Sequence, residues 1–328
     1  MDEMNTKFSL VVMMPCYNDW EAVRLLLKQL DATFAAAGRR ADVLLVDDCS
    51  SASRPLDLVG KPFQALNRIE VLRLRRNMGH QRAICIGLSH IYEHHDAEGV
   101  LVMDADGEDQ PDDIPKMVSV FEQHHRTAVV FAERTRRSED FVFRMGYFCY
   151  RALHRILTGI RVKVGNFSII PREHLASLVV ISETWNHYAA SVFRSRIKHI
   201  EVPSARGCRL AGESKLDLVS LVVHGLSAIA VFLDVVGVRL SLAACAGAGL
   251  LSLLCIAVFV VKYATSIAIP GWATTTLGLL LIILMQIFVL VLGLTGLVLF
   301  SRNSFSFIPI RDYKYFVGQV IIIDPGDE

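Results

Sequence analysis

Apolar and polar residues alternate in blocks along the first 131 residues, in a pattern that predicts strands separated by helices. Short continuous apolar runs are typical of buried strands, and apolar residues that recur every three or four positions are typical of helices. The predicted strands are 8–14, 43–46, 69–74, 100–103 and 128–131, and the predicted helices are 19–37, 82–94 and 114–124. Such alternation predicts an α/β fold, with a Rossmann-like, mostly parallel sheet and helices on both of its faces.

The last third of the chain has a different pattern, in which long apolar runs replace the short blocks. No charged residue occurs from 240 to 261, and after Lys262 none occurs until Arg302. Each run is long enough for a helix to cross a hydrocarbon core of about 30 Å, which needs roughly 20 residues. The pattern therefore predicts two transmembrane helices at 238–261 and 274–300, preceded by an apolar interfacial helix at 216–233.

Composition and charge agree with a membrane protein. Hydrophobic residues make up 52% of the 328 residues, and the mean hydropathy of +0.40 is high for a soluble domain. The loop between the predicted spans has a single charge nearby, Lys262. The basic residues that flank the other ends of the spans are Arg239, Arg302, Arg311 and Lys314. The positive-inside rule therefore predicts that both chain ends are cytosolic.

The start of the chain and its cysteines agree with a cytosolic location for the first two-thirds of the protein. Residues 1–7 are polar, and the apolar run that follows is too short for a secretory signal and lacks a cleavage site. Seven cysteines are scattered without a C-x-x-C pair. We expect free thiols in a reducing compartment.

Polar residues cluster where the predicted strands end. The clusters are residues 15–19, 47–50, 76–79 and 104–109. Ligands of open parallel sheets bind beyond the carboxyl ends of the strands, so the four clusters predict one shared site. The most acidic cluster contains Asp104, Asp106 and Glu108. Its carboxylates repel one another and suit Mg²⁺ or Mn²⁺, which prefer hard oxygen ligands, although a solvated acidic turn is the alternative.

Five short motifs give the chain a family resemblance. They are P-C-Y-N-D at 15–19, V-D-D-C-S at 46–50, R-N-M-G at 76–79 with Ala83 and Gly87-Leu88 behind it, D-A-D at 104–106, and R-L-A-G-E-S-K at 209–215. With these motifs, in this order, the chain resembles the family 2 glycosyltransferases of the GT-A fold. More narrowly, it resembles the membrane-attached polyprenyl-phosphate glycosyltransferases of the dolichyl-phosphate mannose synthase type.

The resemblance implies a site for a nucleotide sugar and a metal ion. The implied nucleotide-binding residues are Pro15, Tyr17, Asp19, Asp48, Asn77, Gly79 and Asp104, and the implied metal ligands are Asp104, Asp106 and Glu108. Tyr17 would stack on the nucleobase, and Asp19 and Asp48 would accept hydrogen bonds from the base or ribose. Ordinary turn and capping roles are the alternative for these two aspartates.

The resemblance also implies a polyprenyl phosphate acceptor. The residues assigned to the acceptor phosphate are Arg134, Arg206, Arg209, Ser214 and Lys215, and the predicted catalytic residues are Asp104, Asp106, Arg134 and Lys215. A lysine that merely reaches out from the membrane boundary is the alternative for Lys215. Basic and aromatic residues between 133 and 163 predict an amphipathic helix at 141–157 on the bilayer surface, with a solvated basic helix face as the alternative.

Two positions depart from the family pattern. Relatives have D-A-D-L-Q where this chain has D-A-D-G-E, so Glu108 replaces a glutamine and would tighten divalent binding or change the preferred metal. Relatives also often have an arginine after phenylalanine in a G-x-F-R or D-F-R stretch, whereas this chain has N-F-S at 166–168. The arginine that would contact sugar or phosphate is therefore absent.

These features predict a metal-dependent, inverting transfer of a sugar from a UDP- or GDP-linked donor to a polyprenyl (undecaprenyl or dolichyl) phosphate at the cytosolic face of a membrane. One alternative is a transferase of the same fold that glycosylates a hydroxyl of a lipid or polysaccharide, with Glu183 as the candidate base. Another is a non-enzymatic membrane scaffold. The membrane spans argue against a nucleic-acid partner, and the resemblance allows a homo-oligomer formed through the membrane helices.

The predicted organisation has four parts. A catalytic domain occupies 1–213, a juxtamembrane interfacial helix 214–236, two transmembrane helices 237–301 and a cytosolic tail 302–328. Alternating apolar residues at 315–323 predict either an additional strand or a segment on the membrane surface.

Overall fold

The computed structural model describes residues 9–55, 62–134, 141–160, 164–212, 218–265, 271–303 and 307–323. Within these ranges, residues 134, 141–149, 218–221 and 301–303 are described by their backbone alone. The chain forms two compact units. The first comprises Met1–Phe148, Arg161–Val231 and Ser306–Glu328, and the second comprises Cys149–Ile160 and Phe232–Phe305.

A single mixed sheet forms the centre of the first unit. Its strands are β1 (Leu10–Cys16), β2 (Ala41–Asp47), β3 (Leu66–Leu74), β4 (Gly99–Val102), β5 (Val129–Arg134), β6 (Val164–Pro171), β7 (His199–Ser204) and β8 (Val317–Ile323). They lie in the order β7-β5-β6-β4-β1-β2-β3-β8. Strands β6 and β8 run antiparallel to their neighbours, and the other pairs are parallel. Six strands therefore share one direction, and their carboxyl ends meet at one edge of the sheet.

Ten α-helices accompany these strands in the described part of the chain. They are α1 (Trp20–Ala36), α2 (His80–His94), α3 (Ile114–Gln123), α4 (Phe141–Thr158), α5 (Arg172–Leu178), α6 (Tyr188–Arg194), α7 (Leu218–Ala230), α8 (Leu233–Ala264), α9 (Trp272–Asn303) and α10 (Pro309–Asp312). Helices α4 and α7 lie where the sequence predicts helices at 141–157 and 216–233, and their placement on a membrane surface stays a prediction.

The side chains of each strand point alternately to the two faces of the sheet, so both faces are apolar. Helices cover both of them. On one face, α1 and α3 bury residues such as Leu26 and Phe121 against the sheet. On the other face, α2, α5 and α6 bury residues such as Ile84 and Tyr188. The adjacent residues Val12 and Met13 of β1 belong to different cores, which agrees with this alternation. The predicted α/β architecture is confirmed.

The structure adds two strands, β6 inside the sheet and β7 at its edge, that the apolar pattern did not predict. Strand β6 lies antiparallel between β4 and β5, with Ile169 opposite both Leu101 and Val130. Because β6 is buried on both faces, it has no alternation of polar and apolar residues to mark it. Strand β7 pairs in parallel with β5.

The end of the chain returns to the sheet. Strand β8 pairs antiparallel with β3, with Ile321 opposite Val71. Of the two alternatives for residues 315–323, the additional strand is therefore correct.

The second unit contains two long apolar helices that could cross a membrane. They are Leu233–Ala264, with a mean hydropathy of 2.5, and Trp272–Phe300, with a mean hydropathy of 2.9. They contain the spans predicted at 238–261 and 274–300, and large apolar side chains such as Leu250, Ile256 and Phe288 point outward. Near the start of α8, Arg239 Nη1 donates to the carbonyl oxygens of Ile156 and Leu157 at the end of α4, each at 3.1 Å.

Candidate functional site

The loops that follow β1 and β2 are joined into one surface by hydrogen bonds. The Asn18 backbone N donates to Ser50 Oγ at 2.9 Å, and the Ala52 backbone N donates to Asn18 Oδ1 at 2.8 Å. Asn18 and Cys49 adopt positive φ angles of 54° and 59°, which the two tight turns require. Tyr17 extends from this surface with 38% of its area exposed, so its ring is accessible to a ligand.

Asp48 connects this surface to the loop that follows β3. Its Oδ1 accepts the backbone N–H of Met78 at 2.6 Å, and its Oδ2 accepts that of Gly79 at 2.8 Å. Burial raises the pKa of Asp48 above its usual value, although the two N–H donors oppose this shift. Gly79 has a φ of +89°, which favours glycine. Asp48 thus holds the R-N-M-G loop in place, and Asn77 is exposed beside it.

The acidic loop, residues 104–109, follows β4 and folds back on itself. The Asp104 backbone N donates to Asp109 Oδ2 at 2.9 Å, and the Glu108 backbone N donates to Asp106 Oδ1 at 3.0 Å. The side chains of Asp104, Asp106 and Glu108 are 23%, 18% and 22% exposed. Burial raises the pKa of Asp106, and the nearby carboxylates of Asp104 and Glu108 add to the increase. Carboxylate oxygens are the ligands that Mg²⁺ and Mn²⁺ prefer, so the chemistry of this loop suits such an ion.

A second loop, residues 205–212, lies directly against the acidic loop. Arg209 Nη1 is 3.1 Å from Asp106 Oδ2, and Arg209 Nη2 is 2.7 Å from Asp19 Oδ1. Arg206 Nε donates to Glu108 Oε2 at 2.8 Å. The two arginines assigned to the acceptor phosphate therefore pair with carboxylates assigned to the nucleotide and metal. The structure brings the two halves of the predicted site together.

Backbone contacts fix the same two loops against each other. The Leu210 backbone N donates to the carbonyl oxygen of Asp106 at 2.9 Å, and that of Gly207 to the carbonyl oxygen of Glu108 at 2.8 Å. Gly107 has a φ of +85°, and a Cβ at this position would lie 2.4 Å from Leu210 Cγ. The glycine that replaces the family's leucine is therefore required by the close approach of Leu210.

The remaining residues assigned to the acceptor are only partly described. Arg134 is the last residue of β5, and its backbone lies opposite Ser204, the last residue of β7, immediately before the loop 205–212. Its side chain, Ser214 and Lys215 lie outside the described residues. Their roles remain predictions.

A series of polar side chains in contact with one another lies behind the acidic loop, and the sequence did not predict it. His80 Nε2 lies 3.2 Å from Asp104 Oδ1 and 2.9 Å from Asn166 Nδ2. Asn166 Oδ1 accepts from Gln81 Nε2 at 3.1 Å, and Gln81 Oε1 accepts from the Tyr188 backbone N at 2.8 Å. Burial would lower the pKa of His80, but the adjacent Asp104 carboxylate raises it above its usual value. The signal in the sequence that could have revealed these contacts is the polar pair of histidine and glutamine directly after R-N-M-G.

The position where relatives have an arginine belongs to the core. Ser168 has no exposed area. Its Oγ donates to the carbonyl oxygen of Asn166 at 2.8 Å and lies 2.7 Å from the Tyr188 hydroxyl. Since Ser168 uses its proton on the carbonyl, Tyr188 donates to Ser168. An arginine would not fit in this enclosed place.

Glu183, the candidate base, is held by its neighbours. It lies in a 3₁₀ turn, Ser182–Trp185. Its Oε1 is 3.0 Å from Arg194 Nε, and its Oε2 accepts from Ser182 Oγ at 3.1 Å. These contacts give Glu183 a structural role, in which it ties the 3₁₀ turn to the last residue of α6.

Comparisons with known proteins agree with this geometry. The sequence model of the family described as "Glycosyl transferase family 2" matches residues 11–179, a span that contains β1 and the acidic loop. The chain is 26% identical over 298 residues to "Uncharacterized glycosyltransferase YkcC" of Bacillus subtilis (strain 168), which covers 88% of this chain and 87% of the relative. It is 27% identical over 229 residues to "Undecaprenyl-phosphate 4-deoxy-4-formamido-L-arabinose transferase" of Edwardsiella ictaluri (strain 93-146), covering 68% and 67%.

Among solved structures, the chain is similar to glucosyl-3-phosphoglycerate synthase from Mycobacterium tuberculosis in complex with Mn²⁺, uridine diphosphate and phosphoglyceric acid. The identity is 14%, the TM-score is 0.48, and the match covers 70% of this chain and 79% of that one.

Proposed function

We propose that this chain, which belongs to glycosyl transferase family 2, transfers a sugar from a nucleotide sugar to a polyprenyl phosphate at a membrane surface. The contact of Arg206 and Arg209 with the acidic loop is the observation that carries the proposal. It joins cationic groups suited to a phosphate to carboxylates suited to a metal diphosphate. The undecaprenyl-phosphate transferase among the relatives and the two apolar helices support the lipid acceptor.

The donor would bind across the joined loops at the carboxyl ends of β1 to β4. Tyr17 would stack on the base, while Asp19 and the 76–79 loop, held by Asp48, would contact the ribose and base. The carboxylates of Asp104, Asp106 and Glu108 would hold Mg²⁺ or Mn²⁺. When bound, such an ion supplies Lewis-acid stabilisation of the leaving nucleoside diphosphate.

The acceptor phosphate would bind at the loop 205–212 and the end of β5. Arg206 and Arg209 now pair with carboxylates, so an incoming phosphate would compete for the same guanidinium groups. Guanidinium binds phosphate through two parallel hydrogen bonds, which fixes the orientation of the attacking oxygen. Arg134, Ser214 and Lys215 would add further donors. The arrangement favours precise alignment of acceptor and donor.

This chemistry needs alignment more than a strong base. A phosphate monoester is already an anion at neutral pH, so no proton has to be removed from the attacking oxygen. Catalysis would then depend on holding the phosphate in line with the sugar–diphosphate bond and on stabilising the departing charge. A single in-line displacement of this kind inverts the anomeric centre. We propose inversion for this enzyme on that basis.

We also propose the four-part organisation, with a catalytic domain at 1–213, an interfacial helix at 214–236, two spans at 237–301 and a cytosolic tail at 302–328. The joining of β8 to β3 supports placing the tail on the same side of the membrane as the catalytic domain.

The topology gives one prediction. Basic residues flank the end of each apolar helix that lies away from the loop between the two helices. Tags at Met1 and at Glu328 should therefore both be cytosolic, and a tag beside Gly271, in that loop, should be on the other side of the membrane. Protease treatment of intact cells should digest only the tag beside Gly271. Digestion of exactly one of the two terminal tags would contradict the two-span topology.

The contact of His80 with Asp104 gives a second prediction. His80 Nε2 forms an ion pair with Asp104 Oδ1 when the imidazole is protonated, and at 40% exposure of His80 such a pair contributes up to about 1 kcal/mol. His80→Ala should therefore lower kcat/KM for the donor by up to about fivefold, with the acceptor KM nearly unchanged. His94→Ala, at the opposite end of α2, is the matched control. If the two variants have equal kcat/KM for the donor, His80 has no role in donor binding or transfer.

A donor panel tests the proposed reaction. Membranes that contain the protein are incubated with polyprenyl phosphate and with radiolabelled UDP- and GDP-sugars, one at a time. One donor should label the organic phase in the presence of the protein, and membranes without the protein should give none. If no donor labels the lipid, the proposed acceptor is wrong.

A further inference from the structure

A second group of metal-binding side chains lies away from the acidic loop. Glu70 is in the middle of β3, His90 is in α2, and His95 directly follows that helix. Their side chains are only 2%, 6% and 5% exposed. His90 is ten residues beyond His80 on α2, a distance of about 15 Å along a helix, so the group is separate from the site described above.

The three side chains converge on one point. His90 Nε2 is 2.5 Å from Glu70 Oε1, and His95 Nε2 is 3.3 Å from Glu70 Oε2. The three ligand atoms lie within 4.8 Å of one another. Among the described residues, no aligned hydrogen bond reaches His95 Nε2, although this atom is buried and faces the carboxylate. A buried imidazole nitrogen without such a bond is costly unless another ligand uses it.

Arg68 completes the surroundings of the carboxylate. Arg68 Nη2 is 2.7 Å from Glu70 Oε2. An outer hydrogen bond of this kind fixes the orientation of a ligating carboxylate and leaves the other oxygen for a metal. Arg68 therefore orients the Glu70 carboxylate through Oε2, and its contact does not use Oε1.

A cavity leads to the group from the edge of the sheet opposite the acidic loop. It has a volume of about 200 Å³ and is lined by residues at the amino-terminal ends of β1 and β2 and at the end of α2. Arg68, His94 and His95 form part of its wall. An ion could reach His95 through this cavity, and a water molecule there could complete the coordination.

We propose that Glu70, His90 and His95 form a site for a divalent transition metal, with Zn²⁺ as the ion that fits best. Two imidazoles and one carboxylate are typical zinc ligands, and three protein ligands leave a fourth position for water from the cavity. Zinc bonds of about 2.0–2.2 Å separate tetrahedral ligand atoms by roughly 3.3 Å, so His90 and Glu70 need to move apart by less than about 1 Å. The metal would tie β3 to the end of α2.

The test measures bound zinc in the full-length protein purified in detergent. Excess Mg²⁺ is present throughout, because it saturates sites built from carboxylate oxygens and leaves imidazole sites to Zn²⁺. The wild type should retain about one Zn²⁺ per chain after dialysis. His95→Ala, His90→Ala and Glu70→Gln should each weaken the affinity by more than about tenfold.

His124→Ala is the control, because His124 is an exposed histidine at the end of α3, outside this group and outside the wall of the cavity. This variant should bind zinc like the wild type. Far-UV circular dichroism identifies any variant that fails to fold.

Two results would overturn the proposal. One is a wild-type protein that holds no stoichiometric Zn²⁺ in excess Mg²⁺. The other is a folded His95→Ala variant that binds as much zinc as His124→Ala. If all ligand variants fail to fold, the visible spectrum of the Co²⁺-loaded wild type decides, since four-coordinate nitrogen and oxygen ligation gives intense bands and oxygen-only octahedral ligation gives weak ones.

Discussion

Asp104→Asn and Asp106→Asn should each reduce sugar transfer by roughly a thousandfold, with normal expression and membrane insertion. Asparagine keeps the size of the side chain and removes the charge that a divalent cation needs. Asp106 also contacts Arg209, so its replacement leaves that guanidinium paired with Asp19. The expected loss is in kcat, because the charge of the leaving diphosphate develops during the reaction. Rates are measured with saturating donor and acceptor.

Asp112→Asn is the control for this prediction, because Asp112 is an exposed carboxylate a few residues beyond the acidic loop. It should leave the rate unchanged. Turnover near the wild-type value in the presence of EDTA would contradict the metal requirement. A loss of less than tenfold in both aspartate variants would remove the acidic loop from the reaction centre.

Lys215→Ala should raise the KM for polyprenyl phosphate far more than the KM for the nucleotide sugar. Loss of a charge-assisted contact costs about 1.5–3 kcal/mol, or roughly ten- to a hundredfold in kcat/KM for the acceptor. The prediction derives from the R-L-A-G-E-S-K motif, in which Lys215 follows Arg209 by six residues. Lys262→Ala, at the other membrane boundary, is the control and should have little effect.

Glu183→Gln distinguishes the phosphate acceptor from a hydroxyl acceptor. A phosphate oxygen carries no proton that must be removed, so this substitution should change kcat by less than about threefold. The pairing of Glu183 with Arg194 agrees with a structural role. An inactive Glu183→Gln together with a nearly normal Lys215→Ala would reverse the assignment and favour a hydroxyl acceptor.

The sequence predicted the strands and helices that carry the donor side of the site. Apolar runs such as 100–103 mark buried strands through local composition, and β4 ends within one residue of the predicted position. The motifs then marked the loops that follow those strands. The sequence was sufficient to predict these features because each of them depends on residues that are neighbours in the chain.

Contacts between distant parts of the chain could not be predicted in the same way. Arg209 meets Asp106 across 103 positions, and β8 pairs with β3 from the far end of the chain. The alternation at 315–323 indicated a strand, but its partner, like the partner of Arg209, depends on how the finished elements pack. The Glu70–His90 contact was missed for the same reason, since the residues lie on a strand and a helix that meet only in the folded protein.

Departures from the family pattern became interpretable only in three dimensions. Gly107 is accounted for by the close approach of Leu210, and Ser168 by its enclosed hydrogen bonds with Tyr188 and Asn166. Glu108 pairs with Arg206, which a glutamine could not do as an ion pair. Sequence comparison identifies such positions, and packing gives their physical reason.

The most direct test of the proposed function compares two acceptors that differ only in the phosphate. The purified protein is given the active donor with either polyprenyl phosphate or the polyprenol of equal chain length. We expect glycosylated lipid only with polyprenyl phosphate, because the proposed acceptor groups Arg206, Arg209 and Lys215 would bind an anion, and the candidate base Glu183 is paired with Arg194. Comparable glycosylation of the polyprenol would contradict the account.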